Sequence, residues 1–172
     1  MLSLSMRSTR HSRILSGAAH QAALLLLGAA LSVLLAGPLD AKMRVDRLWL
    51  LTGPGQETPI DVEIAQEPKE KELGLRFRTE LAPGTGMLFL YGAPREITMW
   101  MHNTYIPLDM VFIRADGTVH RIEKRAEPLS DRIIASQGPV SAVLELPGGD
   151  AERLGLKPGD RVRHPIFEGK PR

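Results

Sequence analysis

The sequence predicts a mainly β chain: a compact β-sandwich or barrel-like domain of short strands with two small helices, preceded by an N-terminal signal or anchor helix. Three observations predict it. Beyond residue 45, short alternating or continuous apolar runs recur between glycine and proline turn signals, the pattern of an all-β domain. No strand alternates with a long helical stretch, so a doubly wound α/β fold is not expected. Ahead of these runs, a basic segment leads into a short apolar one. The 172 residues leave room for a single domain.

The leader comes first. Residues 1–13 are polar and carry Arg7, Arg10 and Arg13, and Ala22 to Ala36 is continuously apolar or small. That run is shorter than the ~20 residues that comfortably span a bilayer, and His20 and Gln21 interrupt its upstream extension. Residues 1–41 therefore read as a signal peptide cleaved after Ala36 or Ala41, or as an uncleaved membrane anchor. Either form exports the domain, leaving it periplasmic or anchored in the inner membrane and facing the periplasm. A single β domain is expected over 45–168 and a tail over 169–172.

Within the domain, Val45 to Thr52 reads as a strand and Gly53-Pro54-Gly55 as a turn. Ile60, Val62 and Ile64 alternate with Asp61, Glu63 and Ala65, a half-buried strand of period two. Pro68 suits the first turn of a short helix through Leu73, and Gly74 is placed to end it. After a loop holding Pro83, Gly84 and Gly86, Met87 to Tyr91 and Glu96 to His102 are further short apolar runs. Leu108 to Arg114 and Thr118 to Lys124 flank Ala115-Asp116-Gly117, a hairpin signal. Pro128 to Gly138 is loop, and Val140 to Leu146 is a strand. A short helix follows from Asp150 to Leu154, with Asp150 able to cap it and Gly155 to close it. Lys157-Pro158-Gly159-Asp160 fits a type II turn, and Arg161 to Phe167 is the last strand. Trp49, Trp100, Phe89 and Phe112 are the bulky core candidates.

Composition excludes several functions. There is no cysteine, hence no disulfide, thiolate nucleophile, thiolate zinc site or lipoprotein cysteine. Residues 1–36 hold three of the 22 basic residues and none of the 20 acidic ones, so the rest of the chain is close to neutral. Its basic residues are dispersed, which speaks against nucleic acid as a partner. Membrane contact is expected only through the N-terminal segment.

Gly74-Leu75-Arg76-Phe77-Arg78, Leu81, Gly86-Met87-Leu88-Phe89, Met99 to Thr104, Ile106-Pro107-Leu108-Asp109, Val143-Leu144-Glu145-Leu146, Gly149 and Leu156 to Asp160 occur in that order. Together they resemble the bacterial and archaeal domain-of-unknown-function family 192, over essentially all of residues 58–167. The resemblance implies a small, mostly β domain, frequently exported, with no established activity. The family commonly has Met where Arg76 stands and Lys where His102 stands.

Chemistry concentrates in Met99 to Met110. Trp100, His102, Asn103, Thr104 and Asp109, joined by Glu145, form a candidate pocket for a small polar ligand or envelope component, with no cofactor implied. The same residues admit a structural reading, in which Asn103 and Thr104 satisfy backbone groups at a strand end. Asp109 would then accept backbone hydrogen bonds across the Tyr105–Leu108 turn. Trp100 reads as core, or as a ring exposed beside the polar set. Glu145, between Leu144 and Leu146, faces solvent on a half-buried strand or caps a buried polar cluster. An alternative is an envelope hydrolase using Asp109 and Glu145 as a carboxylate pair. Ser136 and Thr104 are its potential nucleophiles and His102, His120 and His164 its imidazoles, without any recognisable motif around them. A weaker alternative is copper(I) held by Met87, Met99, Met101, Met110 and His102, against which stands methionine's ordinary use as core filler. Gly148-Gly149 could receive an anion at a helix start, but Asp150 would occupy that place. The reading that best joins these features is an exported, non-enzymatic ligand-binding or structural module of the cell envelope.

Overall fold

The computed structural model describes residues 43–168. The expected leader over 1–41 and the tail over 169–172 lie outside the described residues. What is described is mainly β, as expected, with two small helices. It is neither a sandwich nor a closed barrel. Seven strands form one open sheet, and a two-stranded ribbon stands apart from it.

The strands are β1 (Val45–Thr52), β2 (Gln56–Ala65), β3 (Thr85–Arg95), β5 (Leu108–Ile113), β6 (Val119–Ala126), β8 (Val140–Pro147) and β9 (Arg161–Arg163), in spatial order β6-β5-β8-β3-β2-β1-β9. The ribbon pairs β4 (Thr98–Met99) with β7 (Ile134–Ala135). β1 and β2, joined through the expected turn, form one hairpin, and β5 and β6 form the expected one. In that second turn Gly117 has φ 83 and Asp116 Oδ1 accepts the Thr118 N–H at 2.9 Å.

β2 and β3 run parallel, an arrangement that turn signals alone do not reveal. A parallel pair needs a long crossover, supplied here by residues 66–84 with helix α1 (Pro68–Leu73). Pro68 opens α1 and Gly74, at φ 51, closes it through its N–H to Glu70 O. A Cβ on Gly74 would sit 3.2 Å from the Phe89 ring, so the glycine also lets the crossover lie against β3.

The sheet curls until its outermost strands meet at one corner, the bridge between Thr118 and Arg161. That contact does not grow into a ladder. Apolar residues from all seven strands fill the inside of the curl, among them Leu48, Val62, Leu88, Val111, Val119, Leu144 and Val162. A second core lies on the opposite face of β3, β8 and β5, where Met87, Phe89, Met110, Phe112 and Val143 are covered by Leu75, Ile97, Met101 and Ile134. The central strands are therefore buried on both faces, which is why they read as continuous apolar runs.

Asp109 holds two irregular features to this frame. β6 carries an extra residue between its pairings with Leu108 and Met110, and Arg125 takes φ 47 there. The freed Arg125 N–H donates to Asp109 Oδ1 at 2.7 Å. Asp109 Oδ2 accepts the N–H groups of Gly149 and Ala151, at 2.9 and 2.8 Å. These begin helix α2 (Asp150–Arg153). Asp109, from a different strand, thus takes the capping place expected of Asp150, whose carboxylate instead pairs with Arg153. The structural reading of Asp109 holds with different partners, since none of its three donors belongs to the Tyr105–Leu108 turn. The last strand ends at Arg163, short of the expected Phe167, and Pro165 cannot donate to a ladder.

Asp109 is fully buried, and hydrogen bonds to a charged acceptor contribute roughly 1.5–3 kcal/mol each. Asp109→Asn places an amide N–H₂ among backbone donors and should cost on the order of 3 kcal/mol. Urea denaturation checks this: a midpoint equal to wild type would remove the structural role.

Candidate functional site

Alternation along β8 decides where the carboxylates go. Glu145 lies opposite Met87 of β3 and Met110 of β5, whereas Asp109 lies opposite Leu146. Successive side chains of a strand point to opposite faces, so Glu145 belongs to the second core and Asp109 to the first. The expected carboxylate pair is therefore divided by the sheet, and acid–base chemistry using both is ruled out by geometry.

Glu145 is only 4 % exposed, not at solvent as its leucine neighbours suggest. Among the described residues no hydrogen bond or ion pair to its carboxyl is found. Burial pushes its pKa up from 4.5 to about 8, because a desolvated carboxylate with no compensating partner is costly. At neutral pH it is therefore a neutral acid that can donate as well as accept.

The Glu145 carboxyl borders a cavity of about 120 Å³ that opens to solvent between α1 and the 98–104 loop. Trp100, His102 and Thr104 line it too, so four of the six expected site residues come together. Asn103 is not in the lining. It sits at φ 57, and its carbonyl accepts the Phe77 N–H at 2.8 Å. Phe77 and Leu129 also have positive φ, 64 and 61, and the Leu129 N–H donates to Thr104 O. Left-handed backbone at bulky residues costs on the order of 1–3 kcal/mol. The corner bearing the cavity is held in place by these strained turns.

Trp100 is half-exposed rather than core, and Trp49 is half-buried under the Arg163 guanidinium. The other bulky candidates, Phe89 and Phe112, are buried as expected. The Trp100 indole stacks on His102, ring centroids 5.2 Å apart, and the Arg76 guanidinium lies 5.8 Å from its centre. His102 Nδ1 lies 2.8 Å from Asp131 Oδ1. Arg76 and His102 thus meet at one aromatic ring.

Lys71, Arg76, Phe89 and Tyr91 complete much of the lining and were missed from sequence. Period-two reading of β3 had the signal for Tyr91, since it shares a face with Met87 and Phe89. Its hydroxyl donates to Met99 Sδ at 3.3 Å. Burial first, then the nearby Glu145 charge, pushes the Tyr91 pKa up to about 12. Lys71 Nζ donates to Leu90 O and sits 5.4 Å from the Tyr91 ring centre.

The other sequence candidates are elsewhere. Ser136 is buried, its Oγ accepting the Ile97 N–H and donating to Gly138 O, so it holds the ribbon rather than acting as a nucleophile. His120 contacts Arg114 and Gln137, and His164 lies beside Asp46. Met87, Met101 and Met110 are fully buried in the second core, and Met99 lines the cavity. Among the described residues no group of three or more His, Cys, Asp or Glu is arranged to hold a metal ion.

A family model for domain-of-unknown-function family 192, described as an uncharacterized ACR, matches residues 50–164. The chain belongs to this family. Among solved structures it is similar to a protein of Sinorhizobium meliloti 1021 described as a candidate transcription regulator. The two share 45 % identity with a TM-score of 0.71 over 72 % of this chain and 96 % of that one. It is also similar to a protein of unknown function from Novosphingobium aromaticivorans DSM 12444, at 39 % identity and a TM-score of 0.68, over 74 % of this chain and 90 % of that one. No curated protein matches the chain.

The site carries a pH signature. In the folded protein Glu145 keeps its proton up to about pH 8, whereas the unfolded chain releases it near 4.5. Its contribution to stability is therefore full below pH 4.5 and is lost as pH rises towards 8, by at most ~1.4 kcal/mol per unit. Glu145→Gln should flatten that part of the stability curve, a difference that denaturant melts of both proteins from pH 5 to 8.5 would show. Parallel curves would mean that Glu145 titrates normally.

Proposed function

We propose that this is an exported domain of the bacterial cell envelope that binds a small ligand, without catalysis, in the cavity floored by Glu145. The observation that carries the reading is the Glu145 carboxyl itself: buried, unpartnered among the described residues, and bordering open space. Buried polar groups ordinarily have partners, and an exception at the floor of a cavity marks a place where a partner arrives from outside. The half-exposed Trp100 and the Thr104 hydroxyl beside it offer the apolar surface and polar groups of a ligand site. Export rests on the basic-then-apolar leader.

Catalysis is not part of the proposal, because the two carboxyls that line the cavity, buried Glu145 and exposed Glu72, stand beside no activated nucleophile. Nucleic acid is not proposed either. Many of the arginines are neutralised in pairs, Arg47 with Asp61, Arg78 with Glu63, Arg163 with Glu57, and Arg121 and Arg132 with Glu123. The description of the Sinorhizobium protein as a regulator is compatible with ligand sensing, but α1 and α2 have six and four residues, too short to read a major groove.

One experiment tests both halves. The full chain, tagged at its C-terminus and expressed in its bacterial host, should be recovered from the envelope fraction. Native mass spectrometry should then find a small molecule on the wild type that is missing from Glu145→Leu. Recovery from the cytoplasm would contradict export, and the same bound molecule on both proteins would contradict the site.

A further inference from the structure

We propose that the cavity takes a small organic carboxylate, bound together with a proton, with the ligand oxygen accepting a hydrogen bond from the Glu145 carboxylic acid. This deepens the ligand-binding reading above and rests on it.

The charged and titratable groups around the Glu145 carboxyl come from every element packed over it. α1 brings Lys71 and Glu72, the turn after it Arg76, β3 Tyr91, and the 98–104 loop His102. Beyond Met110 on β6 stands Glu123, already paired with Arg121 and Arg132. Glu72 is exposed, so the fixed charge bordering the cavity is Lys71 and Arg76 against one solvated carboxylate. A cationic ligand would meet both of these positive groups. An anion is attracted by them and finds at the floor a donor rather than a charge.

That donor is available because Glu145 is protonated at neutral pH, its pKa being pushed up to about 8 by burial. Hydrogen bonds with one ionised partner are roughly twice as strong as neutral ones, so a carboxylate oxygen satisfies the acid better than water or a hydroxyl does. The rest of the lining is mixed, with Thr98 and Thr104 beside Leu73, Leu75, Phe89, Met99 and Trp100, so it offers polar contacts together with some apolar surface for a short hydrocarbon tail. A cavity of about 120 Å³ admits a molecule of only a few heavy atoms without rearrangement.

Binding through a protonated acid is linked to pH. Affinity for a carboxylate should be level from pH 5.5 to about 8, the upper limit set by Glu145, and then fall tenfold per unit. A cation would show the opposite trend, tightening as Glu145 ionises.

Calorimetric titration of the full chain, in buffers free of carboxylate, tests this with propionate and lactate as probes. Ethylamine, glycerol and inorganic phosphate provide the comparisons. The expected result is binding of propionate or lactate that weakens tenfold per unit above pH 8. Glu145→Gln, which keeps a neutral donor, should bind them without that pH dependence, and Glu145→Leu should lose at least tenfold in affinity. Binding of ethylamine that strengthens with pH, or of glycerol or phosphate in preference to the carboxylates, would overturn the carboxylate assignment and leave the cavity as a ligand site. No heat with any probe, together with no molecule carried by the protein from its host, would overturn the cavity reading as well.

Discussion

β8 runs through the middle of a sheet with a core on each face, and from Ala142 to Leu146 its pleat distributes side chains alternately between them. Leu144 and Leu146 enter the core inside the curl, while Val143 and Glu145 enter the core beneath α1 and the 98–104 loop. A shift of one residue in this strand would exchange the two sets, placing a carboxyl inside the curl and a leucine at the cavity floor. Burying Leu144 and Leu146 completely is worth several kcal/mol at about 2 kcal/mol for each side chain. The position of Glu145 is thus enforced by its apolar neighbours, whatever it costs to bury the acid.

Among the described residues, the two carboxyls closest to fully buried show what that constraint permits. Asp109 has three backbone N–H donors on its two oxygens and joins a bulge in β6 to the start of α2. Glu145 has no such donors and borders a cavity instead. The first arrangement is what a group fixed for stability looks like. The second leaves a polar atom in need of a partner at a place a small molecule can enter, within a corner whose backbone is itself strained at Phe77 and Leu129.

Local chemistry was legible in the sequence. Pro68 and Gly74 bound a helix, Gly117 turns a hairpin, and Gly159, at φ 94, turns the Lys157–Asp160 segment, because each depends on backbone freedom within a few residues. Long-range placement was not. The parallel β2–β3 pair and the curl of the sheet depend on which strands meet, and apolar period alone does not encode that. Glu145 was misjudged for the same reason: flanking leucines look identical whether the opposite face is solvent or a second core. Trp100 was left between core and an exposed ring because the Glu96–His102 run leaves the strand after Met99, where alternation has no meaning; the exposed alternative holds. The stretch from Met99 to Met110 was nevertheless identified as the place where polar groups gather, and four of the six residues named from sequence line the cavity. Asp109 was placed among them because its nearness in sequence hid the fact that it faces away.

Everything proposed for the cavity depends on the Glu145 carboxyl being held protonated at its floor. Carbon-13 NMR of side-chain-labelled glutamate, with Glu145→Gln to assign the signal, follows that carboxyl directly through a pH titration. A midpoint near 8, raised further when propionate is added, is the result the account predicts. A midpoint near 4.5, the value of a carboxyl in water, would contradict it.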